Sequence, residues 1–207
     1  ADLASTLAGS LEERDPMLGK LAEAISALVI GTLATGRHLT SHTLLALLSH
    51  RAASRQLTAD PRLARAAVEE ASRLSGPTLG VFRRASEEVI IAGERLRAGE
   101  RLCCMVHAAN RDPEVFEAPA LFDIARRPRP LPGFGSSTPG DGLVHLFAEA
   151  AAAAIAPLLP RLHLTGSAPR VGAIALRGLS RLPVQHRFPL RDEWRYPEAD
   201  SPATSRA

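Results

Sequence analysis

Hydrophobic and polar positions alternate along the chain in ways that predict helices first and strands later. Residues 2–50 have a helical pattern, and residues 21–50 are apolar on nearly all sides, which is typical of a buried helix rather than a surface helix. A second helix is predicted over residues 60–74, where Asp60 is suited to the N-cap and Pro61 to the first turn. The first third of the chain is therefore predicted to be helical.

The pattern changes after the second helix to short apolar runs joined by glycines. Residues 88–91, 94–97 and 101–106 are predicted to be short strands with glycine turns between them. Two more strands are predicted near residues 171–176 and 182–185, as a closing hairpin. Together these segments predict a small sheet that follows the helices.

A proline- and glycine-rich segment over residues 126–142 predicts a long loop. The alanine-rich run 143–159 predicts a further helix that ends at Pro157 and Pro160. Residues 191–207 are polar and predict a disordered tail. The fold class expected is mostly α (α+β), with one domain over residues 1–190.

Composition excludes several classes of function. The chain has 207 residues, 45% hydrophobic and 23% charged residues, and a net charge of +3, which is ordinary for a globular domain. The positive charge is dispersed arginine with few aromatic residues, so no nucleic-acid surface is predicted. The adjacent Cys103 and Cys104 are expected to be reduced core residues of a strand, which fits a cytoplasmic protein. No signal peptide or membrane span is predicted.

Several motifs follow one another in a recognisable order. Glu70 and Arg73 form E-x-x-R, residues 108–113 read A-A-N-R-D-P, and the run from Phe122 to Arg126 reads F-D-x-x-R. Residues 134–141 then read F-G-S-S-T-P-G-D. In this order and spacing the motifs resemble the C-terminal half of the cytochrome P450 family over about residues 2–188.

The resemblance implies a cytochrome P450-like fold, with a long central helix over the haem and a remnant of the haem-binding loop. It also implies that Glu70, Arg73 and Arg126 form a buried structural network of one carboxylate and two guanidinium groups. Without the surrounding motifs, Glu70 and Arg73 would be interpreted as an ordinary surface pair on a helix.

The residues that carry the family's chemistry are replaced. Asp141 stands where the resemblance places the cysteine ligand of the iron, and a carboxylate is a harder donor than a thiolate. In the central helix the family pattern A-G-x-E-T matches residues 35–39, so that Gly36 is retained but His38 replaces the acid and Leu39 the alcohol. Arg83 is a candidate contact for a haem propionate. These replacements predict no catalytic residues and no bound cofactor.

Other candidate chemistry is limited. His38 and His42 are spaced i, i+4, as in some metal-binding helices, but no adjacent glutamate completes an H-E-x-x-H pattern. Two polar residues in a cavity are the preferred interpretation, and no metal site is predicted. Asp141 is interpreted as a solvated loop carboxylate.

Two functions of different classes are compatible with these residues. The first is a haem-less auxiliary protein, because the chain resembles the P450-derived activators of glycosyltransferases in antibiotic biosynthesis; its partner would be such a transferase. The second is a cytochrome P450-type monooxygenase with unusual ligation, or a haem-independent cavity catalyst. An inactive fragment is a third interpretation.

Overall fold

A computed structural model describes residues 16–127, 139–172 and 176–187. Over these ranges the chain is mostly helical with small sheets, as the fold class predicted. The α-helices are α1 (Pro16–Ser49), α2 (Arg51–Ala59), α3 (Ala64–Ser75), α4 (Val106–Ala109) and α5 (Pro139–Ile155). Two 3-10 segments, Pro61–Leu63 and Ala156–Arg161, precede α3 and follow α5.

Helix α1 is the long central element, and its two halves differ in burial. The C-terminal half supplies Leu39, Leu47 and Leu48 to the core, where it packs against α3 and α5. The N-terminal half exposes apolar side chains along its length. The prediction of a helix buried on all sides is wrong for this half, because no element among the described residues covers it. The exposed side chains are Met17, Leu18, Leu21, Ile25, Val29 and Leu33.

A break at His50 separates α1 from α2, a boundary that the apolar pattern does not reveal. The backbone of His50 has φ −119° and ψ 85°, outside the helical region. The predicted helix 60–74 is divided into a 3-10 turn and α3. Asp60 caps this turn as predicted, since its Oδ1 accepts a hydrogen bond from the Arg62 N–H at 3.1 Å, and Pro61 occupies the first position.

The strands form four separate two-stranded antiparallel sheets rather than one small sheet. The pairs are β1–β4, β2–β3, β5–β8 and β6–β7. The strands are β1 (Val81–Arg84), β2 (Val89–Ile91), β3 (Glu94–Leu96), β4 (Arg101–Cys104), β5 (Leu162–Leu164), β6 (Arg170–Gly172), β7 (Arg177–Leu179) and β8 (Val184–His186). Each sheet is too narrow to bury a face by itself, so the helices carry the core.

The turn between β2 and β3 has the sequence that the glycine pattern predicts. Ala92 and Gly93 have φ values of 50° and 87°, both in the left-handed region. Two consecutive left-handed residues are typical of the tight turns that suit the twist of a hairpin. The hairpin extends from the helical body, and its side chains are largely exposed.

Helix α5 packs its small residues into the core beside α1 and α3. Val144, Ala148 and Ala152 are buried, and Ala156 and Leu159 continue this face. The stretch Gly142–Arg161 has a mean hydropathy of 1.7 and satisfies the length and composition needed to cross a membrane. The prediction that no stretch is long and apolar enough to cross a membrane is therefore wrong by length and by mean hydropathy. The same stretch nevertheless contributes several residues to the core.

Two predictions fall on parts of the chain that are not described. Most of the predicted loop 126–142 and the whole predicted tail 191–207 lie outside the described residues. Residue 141 lies at the start of α5, and its side chain is also outside the description.

Candidate functional site

Glu70 and Arg73 lie one turn apart on α3 and are both buried, with side chains 4% and 1% exposed. The two groups form a bidentate pair: Arg73 Nε donates to Glu70 Oε2 at 2.8 Å, and Arg73 Nη2 donates to Glu70 Oε1 at 2.7 Å. The remaining Arg73 donors bind backbone carbonyl oxygens of the segment after α4. These acceptors are Asn110 O, Pro119 O and Leu121 O.

Arg126 completes the network from the other side of Glu70. Its Nε donates to Glu70 Oε1 at 3.1 Å, and the backbone N–H of Asp123 donates to the same oxygen at 3.1 Å. The ring of Phe116 lies below Arg73, with 5.2 Å between the ring centroid and Cζ. The network thus holds the segment 110–126 against α3. Among the described residues its charged groups bind one another and backbone carbonyls, as expected of a structural network.

The three positions of the central helix that the sequence singled out lie in packed surroundings. A Cβ placed on Gly36 would lie 3.5 Å from Cδ1 of Phe147 on α5, which is van der Waals contact. The imidazole of His38 lies so close to Gly178 on β7 that a Cβ at residue 178 would overlap it. Leu39 is completely buried in the hydrophobic core. Each position therefore serves the packing of α1 against a neighbouring element.

His42 lies one turn after His38 and is also buried, at 2% exposure. Its Nε2 donates to the Arg177 carbonyl at 3.1 Å, and its buried Nδ1 has no partner among the described residues. Burial lowers the pKa of His42, and Arg170, Arg177 and His38 lower it further. His38 has a lowered pKa for the same main reason, burial.

No group of three histidine, cysteine, aspartate or glutamate side chains is arranged to hold a metal in the described part of the chain. The two cysteines of β4 differ from the prediction that they are core residues. Cys103 is half-buried and Cys104 is exposed, and both are free thiols. The reason is that the β1–β4 sheet lies outside the helical core.

Arg83 lies on the β1–β4 sheet, where it pairs with Leu102, while the next residue, Arg84, pairs with Arg101. A broad groove of about 830 Å³ runs along this sheet. It is lined by Phe82, Arg83, Arg84, Arg101, Leu102 and Cys103. Arg84 and Arg101 are cross-strand partners and therefore share one face of the sheet, whereas Arg83 lies on the other face. Guanidinium groups of this kind are suited to carboxylate ligands. Arg84 is the alternative propionate contact to Arg83 in the sequence, and Arg101, its partner across the strands, was not identified by the motifs.

A second set of basic residues surrounds His107, and the sequence analysis did not single it out. His107 Nε2 donates to the Leu74 carbonyl at 2.9 Å. The pKa of His107 is lowered to about 4, mainly by burial and in addition by the nearby charges of Arg111, Arg177 and Arg170. Arg111 belongs to the A-A-N-R-D-P motif, but no sequence signal marks Arg170 or Arg177 as its neighbours.

Comparisons with known proteins agree on one family. A model of the cytochrome P450 family matches residues 26–127. The biotin biosynthesis cytochrome P450 of Bacillus subtilis is 36% identical over 169 residues, which are 78% of this chain and 43% of that protein. Protein DesVIII of Streptomyces venezuelae is 36% identical over 183 residues, 85% of this chain and 45% of that protein. The chain thus spans less than half the length of these relatives.

A solved structure shows the same fold. The cytochrome P450 CYP109B1 from Bacillus subtilis superposes with a TM-score of 0.78 and is 26% identical, covering 88% of this chain and 55% of that protein. The expected cytochrome P450-like C-terminal portion is therefore confirmed.

The family membership overturns one prediction. The replaced residues predicted no bound cofactor, but the matched family and its relatives are cytochromes P450, which are haem proteins. The prediction is wrong because it was drawn from single replaced positions rather than from the fold, which is that of a haem-binding family.

The residues present fit a haem group only in part. The arginine-lined groove beside Arg83 is suited to propionate groups. By contrast, Asp141 offers oxygen where the family offers sulfur, and Phe147 occupies the space next to Gly36. This donor set does not fit thiolate-ligated haem.

The family model, the relatives and the solved structure together support membership of this chain in the cytochrome P450 superfamily, whose fold it has over the matched residues.

Proposed function

We propose that this protein is an auxiliary partner of a biosynthetic enzyme, a glycosyltransferase of secondary metabolism, and acts through binding rather than through oxygen chemistry. One observation carries the proposal: Gly36, His38 and Leu39 are all engaged in packing. By the resemblance, a monooxygenase needs the acid and alcohol positions, which are His38 and Leu39 here, to present groups to bound oxygen. In this chain Gly36, His38 and Leu39 join α1 to α5, β7 and the core.

The retained network supports the same conclusion. Glu70, Arg73 and Arg126 form the buried network that the resemblance implies, in which the Glu70 carboxylate binds both guanidinium groups. A fold that keeps its structural ion network while its reactive positions are replaced is suited to binding a partner through its surface. The relatives include both a named cytochrome P450 and Protein DesVIII, whose name states neither a cofactor nor a reaction.

The exposed face of α1 offers a surface for such binding. Leu21, Ile25, Val29 and Leu33 recur every four residues and lie on one side of the helix, between 48% and 61% exposed. Contiguous apolar faces of this kind are characteristic of association surfaces. Docking would favour the active conformation of the transferase, which requires an affinity difference between its two states of about 1–3 kcal/mol.

Co-expression with a candidate glycosyltransferase tests the proposal. We expect sugar transfer per mole of soluble transferase to rise when this protein is present. The Ile25→Gln, Val29→Gln double variant should lose the effect, and Glu23→Gln, an exposed change on the same helix, should keep it. Equal transfer with and without the protein, for every glycosyltransferase encoded near its gene, would contradict the proposed function.

A second candidate is a cytochrome P450-type monooxygenase with non-standard ligation. The arginine-lined groove beside Arg83 and the names of the catalytic relatives favour it. Two measurements test the monooxygenase function. Visible spectra of the purified protein with added hemin and carbon monoxide show whether haem binds, and oxygen consumption with a redox partner shows whether the complex is active. A tight haem complex that consumes oxygen would establish it in place of the auxiliary role.

A further inference from the structure

A cavity of about 330 Å³ lies where the C-terminal end of α1, the end of α3 and strand β6 meet. It is separate from the groove beside Arg83 and from the Glu70 network. Two arginines line it, Arg111 from the segment after α4 and Arg170 from β6, and the hydroxyl-bearing residues Ser49 and Ser75 lie beside them. The remaining lining residues are Leu45, Ala46, His50, Leu74 and Ala120.

A third arginine belongs to the same group. In the β6–β7 hairpin, Arg170 lies opposite Leu179 and Gly172 lies opposite Arg177. Residues two positions apart on a strand point to the same side, so Arg170 and Arg177 are diagonal neighbours on one face of the hairpin. Cross-strand diagonal neighbours are within reach of long side chains.

These positive charges have no counter-charge among the residues that the structure describes. None of the ion pairs found there involves Arg111, Arg170 or Arg177. The Arg170 and Arg177 guanidinium groups make no hydrogen bond to described residues, and Arg111 donates only to the Leu74 carbonyl. Burial lowers the pKa of Arg111 and of Arg170, and the neighbouring arginines lower both further, as expected where like charges are gathered without an acid.

We infer that this cavity is a binding site for a phosphate group, held by Arg111 and Arg170 with support from Arg177. Guanidinium groups bind phosphate oxygens through charge-assisted, often bidentate hydrogen bonds. A multiply charged oxyanion matches three gathered cations better than a single carboxylate does. Ser49 lines the same cavity and can add a hydroxyl donor, whereas the Ser75 hydroxyl donates to the Ala71 carbonyl.

The phosphate can come from the free ion or from a phosphate monoester, and direct titration distinguishes these sources. Isothermal titration of the full chain with inorganic phosphate, and separately with phenyl phosphate, is done at constant ionic strength in chloride buffer. We expect saturable one-site binding of at least one of them. Tighter binding of the ester would identify an organic phosphate as the ligand class.

Arg170→Gln is the test variant, because Arg170 is exposed at an edge strand and its replacement leaves the core unchanged. We expect it to weaken phosphate binding about tenfold, as the loss of one charge-assisted contact implies. Arg55→Gln removes the same charge from the exposed side of α2 and should bind like the wild type. Absence of saturable binding of both ligands by the wild-type protein would overturn the inference, as would equal affinities of the two variants.

Discussion

At the scale of single residues, Glu70 is the acceptor that the groups of the buried network share. Its carboxylate accepts hydrogen bonds from Arg73, Arg126 and the backbone of Asp123 in a buried site. Glu70→Ala would leave the 1%-exposed Arg73 with an uncompensated charge. We expect the free energy of unfolding in urea to fall by about 3–5 kcal/mol, the usual cost of breaking a buried ion pair.

The neighbouring Glu69 provides the control for this prediction. Glu69 pairs with Arg65 at 3.0 Å on the exposed side of the same helix. Glu69→Ala should change the free energy of unfolding by less than about 1 kcal/mol, because exposed pairs contribute little. Similar losses for the two variants would mean that burial of the network does not determine its contribution to stability.

His107 gives the protein a predicted pH dependence. Its pKa is lowered to about 4 in the folded state, mainly by burial, from an ordinary value of 6.5. Below pH 6.5 the unfolded chain therefore binds a proton that the folded chain does not bind, so stability decreases as the pH falls towards 4. Between pH 7 and 8 this residue has almost no effect on the pH dependence.

Urea unfolding at a series of pH values checks this prediction. His107→Gln, whose amide can still donate to the Leu74 carbonyl, should flatten the decline in acid. Gln185→Ala, on the exposed strand β8, removes no titrating group and is the control that should keep the wild-type slope. Because burial also lowers the pKa of His42, a smaller decline should remain in the His107 variant. An unchanged acid slope in that variant would contradict the assignment to His107.

The sequence carried different amounts of information about different residues. The grouping of Glu70, Arg73 and Arg126 was expected because E-x-x-R and F-D-x-x-R occur in an order that resembles a known family, and the structure brings the three side chains together. The contact of His42 with Arg177 spans 135 positions and has no local signal. The contact of His38 with Gly178 is equally distant along the chain, so no periodicity indicates it.

At the scale of elements, the contact between α1 and the β6–β7 hairpin depends on the absence of a side chain at residue 178. Gly178 is buried, and the His38 imidazole occupies the space where a Cβ would lie. Gly178→Ala should therefore displace this ring and lower the free energy of unfolding by about 1 kcal/mol, the lower end of the range for overpacking, because a side chain rather than backbone must move.

A double-mutant cycle checks this contact. His38→Ala removes the ring, so adding Gly178→Ala in that background should cost much less than it does in the wild type. A positive coupling of this kind would establish His38 as a packing residue of the hairpin. Equal costs in the two backgrounds would show that the alanine at 178 disturbs the strand itself.

Element boundaries were predicted less well than element types, for physical reasons. The helical pattern continues from α1 into α2, and the break lies at the backbone of His50, which periodicity does not reveal. The strand signals were identified in roughly the right places for β2, β3, β4, β6 and β8, but β1, β5 and β7 were missed. The predicted closing hairpin of residues 171–176 and 182–185 is wrong, because β6 pairs with β7 and β8 pairs with β5. Pairing into four sheets rather than one depends on the path of the connecting segments, which single-strand patterns do not specify.

At the scale of the whole molecule, the exposed side of α1 is expected to determine whether the isolated chain associates with a second copy. Leu21, Ile25, Val29 and Leu33 form an apolar stripe on a helix whose other half is in the core. Burial of a half-exposed aliphatic side chain contributes about 1 kcal/mol. The same stripe on two copies would give about 8 kcal/mol in favour of association, comparable with the estimated 4–15 kcal/mol cost of joining two molecules.

We therefore predict weak self-association of the purified chain that increases with concentration. Sedimentation equilibrium should show monomer and dimer for the wild type, and mostly monomer for the Ile25→Gln, Val29→Gln double variant. The thermal midpoint should barely change in that variant, since surface substitutions usually alter stability by less than about 0.5 kcal/mol. The exposed control Glu23→Gln should associate like the wild type. A wild-type chain that stays monomeric at the highest attainable concentration would show that the stripe is too small to act as an interface, and would remove it as the surface through which an auxiliary protein could bind its partner.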